Sequence, residues 1–323
     1  MSETAQTTPV PAVIGRKKRR DDLLFGRIYV DDRTRYVVRQ LFTRPTSVAG
    51  IILVAFFAAI AIAAPLLAPP QGPDPFVIPR DGFRSEPRTP TQEHIFGTTE
   101  GQYDLYYGII WGTRTAFRVG LIITGATLIV GLIIGSIAGY YGGALDDVLM
   151  RIVEIVMAFP FLLAAITLAA VLRARMGQGL IAAMVALIVF GWPTYARLIR
   201  GDILTVKERD YILAARAIGA SDFYILFRYV IPNAIFPTLV VASMDIGTYV
   251  LSFAALSFLG LGAEPGYADW GQLISFARNW IPALDRYWHI ITFPGIAILL
   301  FVMGWNLIGD ALHPSCDTGA GMQ

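Results

Sequence analysis

The sequence is poor in the residues on which soluble enzymes and redox proteins depend. One cysteine, Cys316, stands near the end of 323 residues, so neither a disulfide framework nor a cysteine-based metal site can be assembled within one chain. Lysine occurs only at Lys17, Lys18 and Lys207, never after a glycine. A phosphate-binding loop needs Gly-Lys-Ser or Gly-Lys-Thr so that the ammonium reaches the phosphates, and ATP hydrolysis through such a loop is therefore excluded. His94, His289 and His313 are scattered without metal-ligand spacing, and no Gly-x-Ser-x-Gly or Cys-His pairing points to catalysis. Charge is scarce: 15% of residues are Asp, Glu, Lys or Arg, against about 25% in soluble domains. A net charge of +2 offers no case for a nucleic-acid partner.

What is abundant is apolar sequence, 55% of the chain. A membrane-crossing helix needs roughly 20 apolar residues, and six stretches qualify: Ser47–Ala68, Thr115–Tyr140, Val148–Leu172, Gly179–Ile199, Ala234–Leu261 and Tyr287–Gly309. The fold class that follows is an all-α membrane protein of six transmembrane helices. The first stretch begins behind a long polar leader, which reads as a tail and not as a cleavable signal peptide. Gly131, Gly135 and Gly139 recur at four-residue spacing in the second stretch, a pattern that allows helix backbones to approach closely inside a bundle.

Orientation follows from the loops. The leader carries Arg16, Lys17, Lys18, Arg19, Arg20, Arg27, Arg33, Arg35, Arg39 and Arg44, and the segment between the fourth and fifth stretches carries Arg197, Arg200, Lys207, Arg209, Arg216 and Arg228. The positive-inside rule places both in the cytoplasm, with both termini. The expected organisation is a basic leader over 1–45, a six-helix domain over 46–310 with an external loop at 69–114 and a cytoplasmic loop at 200–233, and a tail over 311–323. The external loop is rich in proline, Pro69, Pro70, Pro73, Pro75, Pro79, Pro87 and Pro90, as an ordered non-helical loop would be.

Six helices fit either a secondary transporter or channel, or the membrane half of a multisubunit pump. Coupling ions in secondary transporters often use ionisable groups at mid-bilayer. Here only Asp245 sits well inside a stretch, with Thr248 and Ser252 after it on the same helix. These three are candidates for a polar translocation path, although a structural hydrogen bond from Asp245 to a neighbouring helix fits equally. Asp147, Arg151 and Glu154 share one helical face and are expected to pair. Pro160 and Pro193 remove backbone hydrogen bonds inside the third and fourth stretches and are candidate pivots, or static kinks.

The loop Asp210–Asn233 is too polar to span, yet patterned. Ala214, Ala215 and Ala217 favour a helix, Gly219 stands where that helix would end in a left-handed residue, and Ser221 would cap a second one with Asp222 in its first turn. Ile225, Leu226, Tyr229 and Val230 form an apolar stripe, and Pro232 is expected to close the unit where the fifth stretch begins. The spacing predicts a helical knob whose small-residue face suits close docking to a partner.

This loop resembles the EAA loop of bacterial ABC importer permeases: the pattern falls on Leu213, Ala214, Ala215, Gly219, Tyr229, Ile231 and Pro232, with Leu213 in place of the glutamate. Phe96–Asp104 followed by Trp111-Gly-Thr-Arg-Thr115 is similar, with departures, to the element before the second span in dipeptide and oligopeptide permeases. Leu256-Ser-Phe-Leu-Gly-Leu-Gly262 and Asp269-Trp-Gly271 resemble closely the elements after the fifth. The resemblance implies the type I importer permease fold, a prokaryotic inner-membrane location, and a non-catalytic subunit that forms half of a path for di- or oligopeptides. It also implies an ATPase-coupling role for Ala214, Ala215, Ala217, Gly219, Ala220, Ser221 and Pro232. The implied partners are a second homologous permease in a heterodimer, two ABC ATPase subunits that bind ATP and Mg, an extracytoplasmic solute-binding protein and the lipid bilayer. No cofactor is implied in this chain. Nickel, opine and oligosaccharide uptake use the same permease class.

Overall fold

The computed structural model describes residues 23–24, 28–29, 44–177 and 179–312. The basic run Arg16–Arg20, His313 and Cys316 lie outside the described residues. The regular structure of the described chain is helical apart from a two-residue antiparallel pair, β1 (Leu23–Leu24) with β2 (Ile28–Tyr29), and isolated bridges such as Val77 with Tyr267.

The first long helix, α1 (Pro45–Leu67), starts with proline at its first turn, where no N–H is needed. Its internal Pro65 cannot bond the Ala61 carbonyl, and the Arg114 guanidinium of α2 (Leu105–Tyr141) donates there instead and to Ile62 O at 3.3 Å. The second span was expected from Thr115, but α2 begins ten residues earlier, because the Asp104 carboxylate caps it by accepting from Tyr107 N–H at 2.8 Å. At the far end of α2, Gly142 (φ 68°) turns the chain into α3 (Gly143–Met157).

A single third span over Val148–Leu172 is not what forms. The chain breaks at residues 158–160 into α3 and α4 (Phe161–Met176), bent 83° to one another. Pro160 has no N–H and pushes the residue before it out of the helical region; its own backbone is extended, ψ 118°, at the N-terminus of α4. Next come α5 (Leu180–Val206), α6 (Asp210–Ala217) and α7 (Asp222–Ile225). A π-turn, Leu226–Val230, leads into α8 (Ile231–Phe258). Pro232 therefore does not separate knob from span: it sits in the first turn of α8, and the wide turn before it absorbs the missing hydrogen bond, so that Asp222–Phe258 runs as one membrane-length rod. The described residues close with α9 (Trp270–Ser275), a 3-10 turn Arg278–Ala283, α10 (Leu284–Tyr287) and α11 (His289–Leu312). Among the described residues five helices are long and apolar enough to cross a bilayer, and the bent α3–α4 pair makes a sixth crossing if counted as one.

The glycine series packs within this chain. A Cβ at Gly131 or Gly135 would meet the backbone of Ala196, and one at Gly139 would lie 3.0 Å from Arg200 O, so α2 and α5 touch backbone to backbone along this ridge. At the other end, Phe57, Trp270 and Phe301 interlock with centroids 5.5–5.8 Å apart, joining α1, α9 and α11.

Candidate functional site

At one end of the bundle α6 and α7 form the knob. Helix α6 closes with Gly219 at φ 84°. Ala220 N–H donates to Ala215 O at 3.1 Å and Gly219 N–H to Arg216 O at 3.0 Å. This pair of bonds is the Schellman closure, which satisfies carbonyls that the helix end would otherwise orphan. Ser221 Oγ then caps α7, accepting from Tyr224 N–H at 3.4 Å. Ile212, Ala215, Ile225, Leu226 and Val230 turn inward onto Tyr140, Ile199 and Ile203 of α2 and α5.

Polar clamps hold the knob and the helix ends beneath it. Tyr140 OH donates to Asp222 Oδ1 at 2.7 Å, Arg216 lies over the Tyr140 ring at 5.5 Å, and Lys207 Nζ donates to Gly139 O at 2.9 Å. Asp146 receives Arg200 bidentately, both bonds at 2.6 Å. The expected grouping of Asp147, Arg151 and Glu154 reduces to one exposed pair, Arg151–Glu154 at 3.2 Å, while the neighbouring Asp146 takes the clamp.

The outward surface differs from the small-residue face expected. Ala214, Ala217, Gly219 and Ser221 are exposed and Ala220 half-exposed, but Ala215 is buried in the knob's own core. Over this surface stand Ile218, 85% exposed, and Phe223, 69% exposed, with the Phe223 and Phe227 rings 4.4 Å apart. A compact apolar crown on a rigidly anchored helix pair is a docking surface in its chemistry. Pro232 is exposed in the first turn of α8.

Midway along α8, Asp245 accepts a hydrogen bond from Tyr195 OH of α5 at 2.6 Å, so the structural hydrogen bond is present. Thr248 is exposed on the same stripe, and Ser252 Oγ donates back to Thr248 O at 2.9 Å. Pro193 is buried inside an unbroken α5, whereas Pro160 stands at the α3–α4 break with Phe161 packed on Tyr249 at 6.2 Å.

At the opposite end the segments 68–104 and 259–288 fold into a cap. Gly260 closes α8 with a second Schellman pair, Leu261 N–H to Leu256 O at 2.9 Å and Gly260 N–H to Ser257 O at 2.8 Å. Asp269 caps α9 by accepting from Gln272 N–H at 2.9 Å, Trp270 Nε1 donates to Ile109 O at 3.1 Å, and Thr115 Oγ1 donates to Ala268 O at 2.8 Å. The elements noted around 111–115 and 256–271 are thus the two halves of one joint. Burial pushes the Asp269 carboxyl up to about 6, against hydrogen bonds that favour its charged form. The Arg88 guanidinium, with His94, holds Asp81 below the usual carboxylate range. Among the described residues no cluster of His, Cys, Asp and Glu could hold a metal ion.

Residues 131–318 match the family described as binding-protein-dependent transport system inner membrane component, and residues 33–80 match the N-terminal TM domain of oligopeptide transport permease C. The chain is 35% identical to the dipeptide transport system permease protein DppC of Alkalihalophilus pseudofirmus, over 88% of this chain and 89% of that one. It is 35% identical to the glutathione transport system permease protein GsiD of Pectobacterium atrosepticum, over 86% and 89%. An inward-facing structure of the MetNI methionine ABC transporter shares the fold at 22% identity, with a TM-score of 0.50 over 64% of this chain and 96% of that one.

Proposed function

The chain belongs to the family of binding-protein-dependent transport system inner membrane components, and from that membership we propose that it is the permease subunit of an ATP-driven importer of di- or oligopeptides. It forms half of the translocation path in the inner membrane, pairs with a second homologous permease, and hydrolyses nothing itself. ATP and Mg are bound by two separate ATPase subunits. The knob and both termini face the cytoplasm; the cap faces outward and receives the solute-binding protein. Peptide as cargo is supported by relatives named for dipeptide and glutathione transport.

The observation that carries the reading is the knob: a Schellman-closed helix pair with an apolar crown, clamped to α2 and α5 and continuous with the rod Asp222–Phe258. Residues Ala214, Ala217, Gly219, Ala220 and Ser221 present the docking edge, Ala215 supports it from within, and Pro232 lets it pass into the rod. Closure of the ATPases drives the knob and reorients the bundles as rigid bodies, with the break at Pro160 as the pivot, while Pro193, buried inside the unbroken α5, takes the static role.

Reconstitution tests this. The chain assembled in vesicles with its partner permease, ATPases and binding protein should take up peptide only with ATP, and a cysteine in place of Ile218 should crosslink to an ATPase subunit. Uptake by the chain alone, driven by a proton or sodium gradient, would establish a secondary transporter instead.

A further inference from the structure

Asp245 lies at the midpoint of α8, an apolar helix of membrane length. Its Oδ2 is fixed by Tyr195 OH at 2.6 Å, and among the described residues no cation neutralises it. A carboxylate in that position is costly unless it meets a counter-charge, and such residues in membrane helices mark the paths of ions and substrates.

The neighbours on its stripe add acceptors, not charge. Thr248 and Ser252 follow at spacings of three and seven residues, about 4.5 and 10.5 Å along the axis; Thr248 is exposed, and Asp245 and Ser252 are partly exposed. Ser252 Oγ spends its proton on Thr248 O at 2.9 Å, leaving its lone pairs outward. A stripe of one held carboxylate and hydroxyl oxygens, with no cation of its own, is complementary to an ammonium group.

We propose that Asp245, Thr248 and Ser252 form a cation subsite on the translocation path, which takes the protonated α-amino group of a peptide in transit. Tyr195 is a positioning residue: it holds one carboxylate oxygen so that the other faces the path. The proposal rests on the importer reading above and adds which end of the cargo this chain recognises.

The test uses the complete complex in vesicles, with radiolabelled Ala-Ala as probe and uptake and ATP hydrolysis measured together. D245N keeps an acceptor for Tyr195 and removes only the charge. Peptide transported per ATP hydrolysed is expected to fall about tenfold, the scale of one charge-assisted hydrogen bond. D245E should restore most of it, and Y195F, which leaves the charge, should lower it less than D245N. Assembled D245N with an unchanged ratio, a parallel loss of uptake and hydrolysis, or Y195F more damaging than D245N would overturn the subsite and leave Asp245 a structural link. Absence of ATP-dependent Ala-Ala uptake by the unsubstituted complex would instead count against the peptide-importer reading itself.

Discussion

Replacing Gly219 by valine isolates the knob from the rest of the bundle. The residue sits at φ 84°, and an added Cβ meets no atom within 4 Å, so the whole cost is backbone strain. A left-handed conformation costs a non-glycine residue about 1–2 kcal/mol. Relaxing to negative φ would break the two closing bonds, Ala220 N–H to Ala215 O and Gly219 N–H to Arg216 O, each worth about 0.5–1.5 kcal/mol net. Either way the penalty stays near 1–3 kcal/mol, below the 5–15 kcal/mol or so that holds a folded domain together. It is still enough to shift a local equilibrium by about fivefold to a hundredfold, since about 1.4 kcal/mol is tenfold. The Gly219→Val subunit should therefore insert and assemble, while ATP hydrolysis stimulated by the loaded binding protein falls together with uptake. Asparagine, which is enriched in the left-handed region, should be nearly normal, and alanine intermediate. The assay is paired measurement of hydrolysis and uptake in vesicles across the three variants. Full coupling in assembled Gly219→Val, or equal damage from asparagine and valine, would refute the reasoning.

Other expectations follow from single contacts. Asp146→Ala strands the Arg200 guanidinium after two bonds of 2.6 Å are lost; with Arg200 about a third exposed, thermal stability in detergent should fall by about 1–2 kcal/mol, and Asp146→Asn by less. Asp269 titrates near 6 when folded against 3.8 as its ordinary value, so the native state binds this proton more tightly. Stability from this group is greatest below pH 4, declines as pH rises through about 4–6, and is flat above, by on the order of 2–3 kcal/mol. Asp269→Asn keeps the cap and should remove that slope, read as the difference in unfolding midpoint between variant and wild type at pH 4.5 and pH 7. For orientation, Gln92→Cys in a Cys316→Ser background should react with a membrane-impermeant thiol reagent in intact cells, whereas native Cys316 should not; the reverse pattern would invert the topology. Gln92 is the apt position because it is exposed, whereas Tyr103, in the same segment between α1 and α2, is 4% exposed beneath Arg80.

How far the sequence revealed this structure depended on how local each determinant is. Gly219 and Ser221 act within one turn, and their capping roles were readable from residue type and spacing alone. Hydropathy located the apolar stretches but is blind to direction, so Val148–Leu172 read as one span; Pro160 was readable as a pivot or kink, but not that the chain bends there by 83°. The early start of α2 was hidden for a related reason. Residues 105–114 are helical because the cap buries Leu105, Tyr107 and Trp111, while Arg114 finds a carbonyl freed by Pro65, a contact between segments more than fifty residues apart. Residue size misled at Ala215, which shares a face with Ile212 and points inward. The spacing of three between them was the available sign. The Asp146–Arg200 and Tyr140–Asp222 clamps join residues 54 and 82 positions apart, and no local pattern announces them.

These long-range contacts determine what the knob can transmit. A docking loop tethered by flexible linkers would absorb a displacement, but this one is clamped to α2 and α5 and runs through its π-turn into a rod of 37 residues, about 55 Å at helical rise. That rod carries Asp245 at the midpoint of its α8 part and ends in the Schellman turn at Gly260, packed against the Asp269–Gly271 joint of the cap. On the proposed coupling role, movement at the crown reaches Asp245 and the cap as displacement of one body. In the proposed mechanism the compliant point lies elsewhere, at the α3–α4 break, where the helical bonds end with Ala158 N–H to Glu154 O at 2.9 Å and resume with Ala164 N–H to Pro160 O at 3.0 Å, and the two segments reorient while the α2–α5 ridge, closed by glycine contacts, stays fixed. On this geometry, a disulfide locking α3 to α4 across the break should abolish uptake yet leave the ATPase subunits bound, whereas one placed within the rod Asp222–Phe258 should have no effect on either. Uptake that survives the locked break would show that the bundle reorients about some other joint.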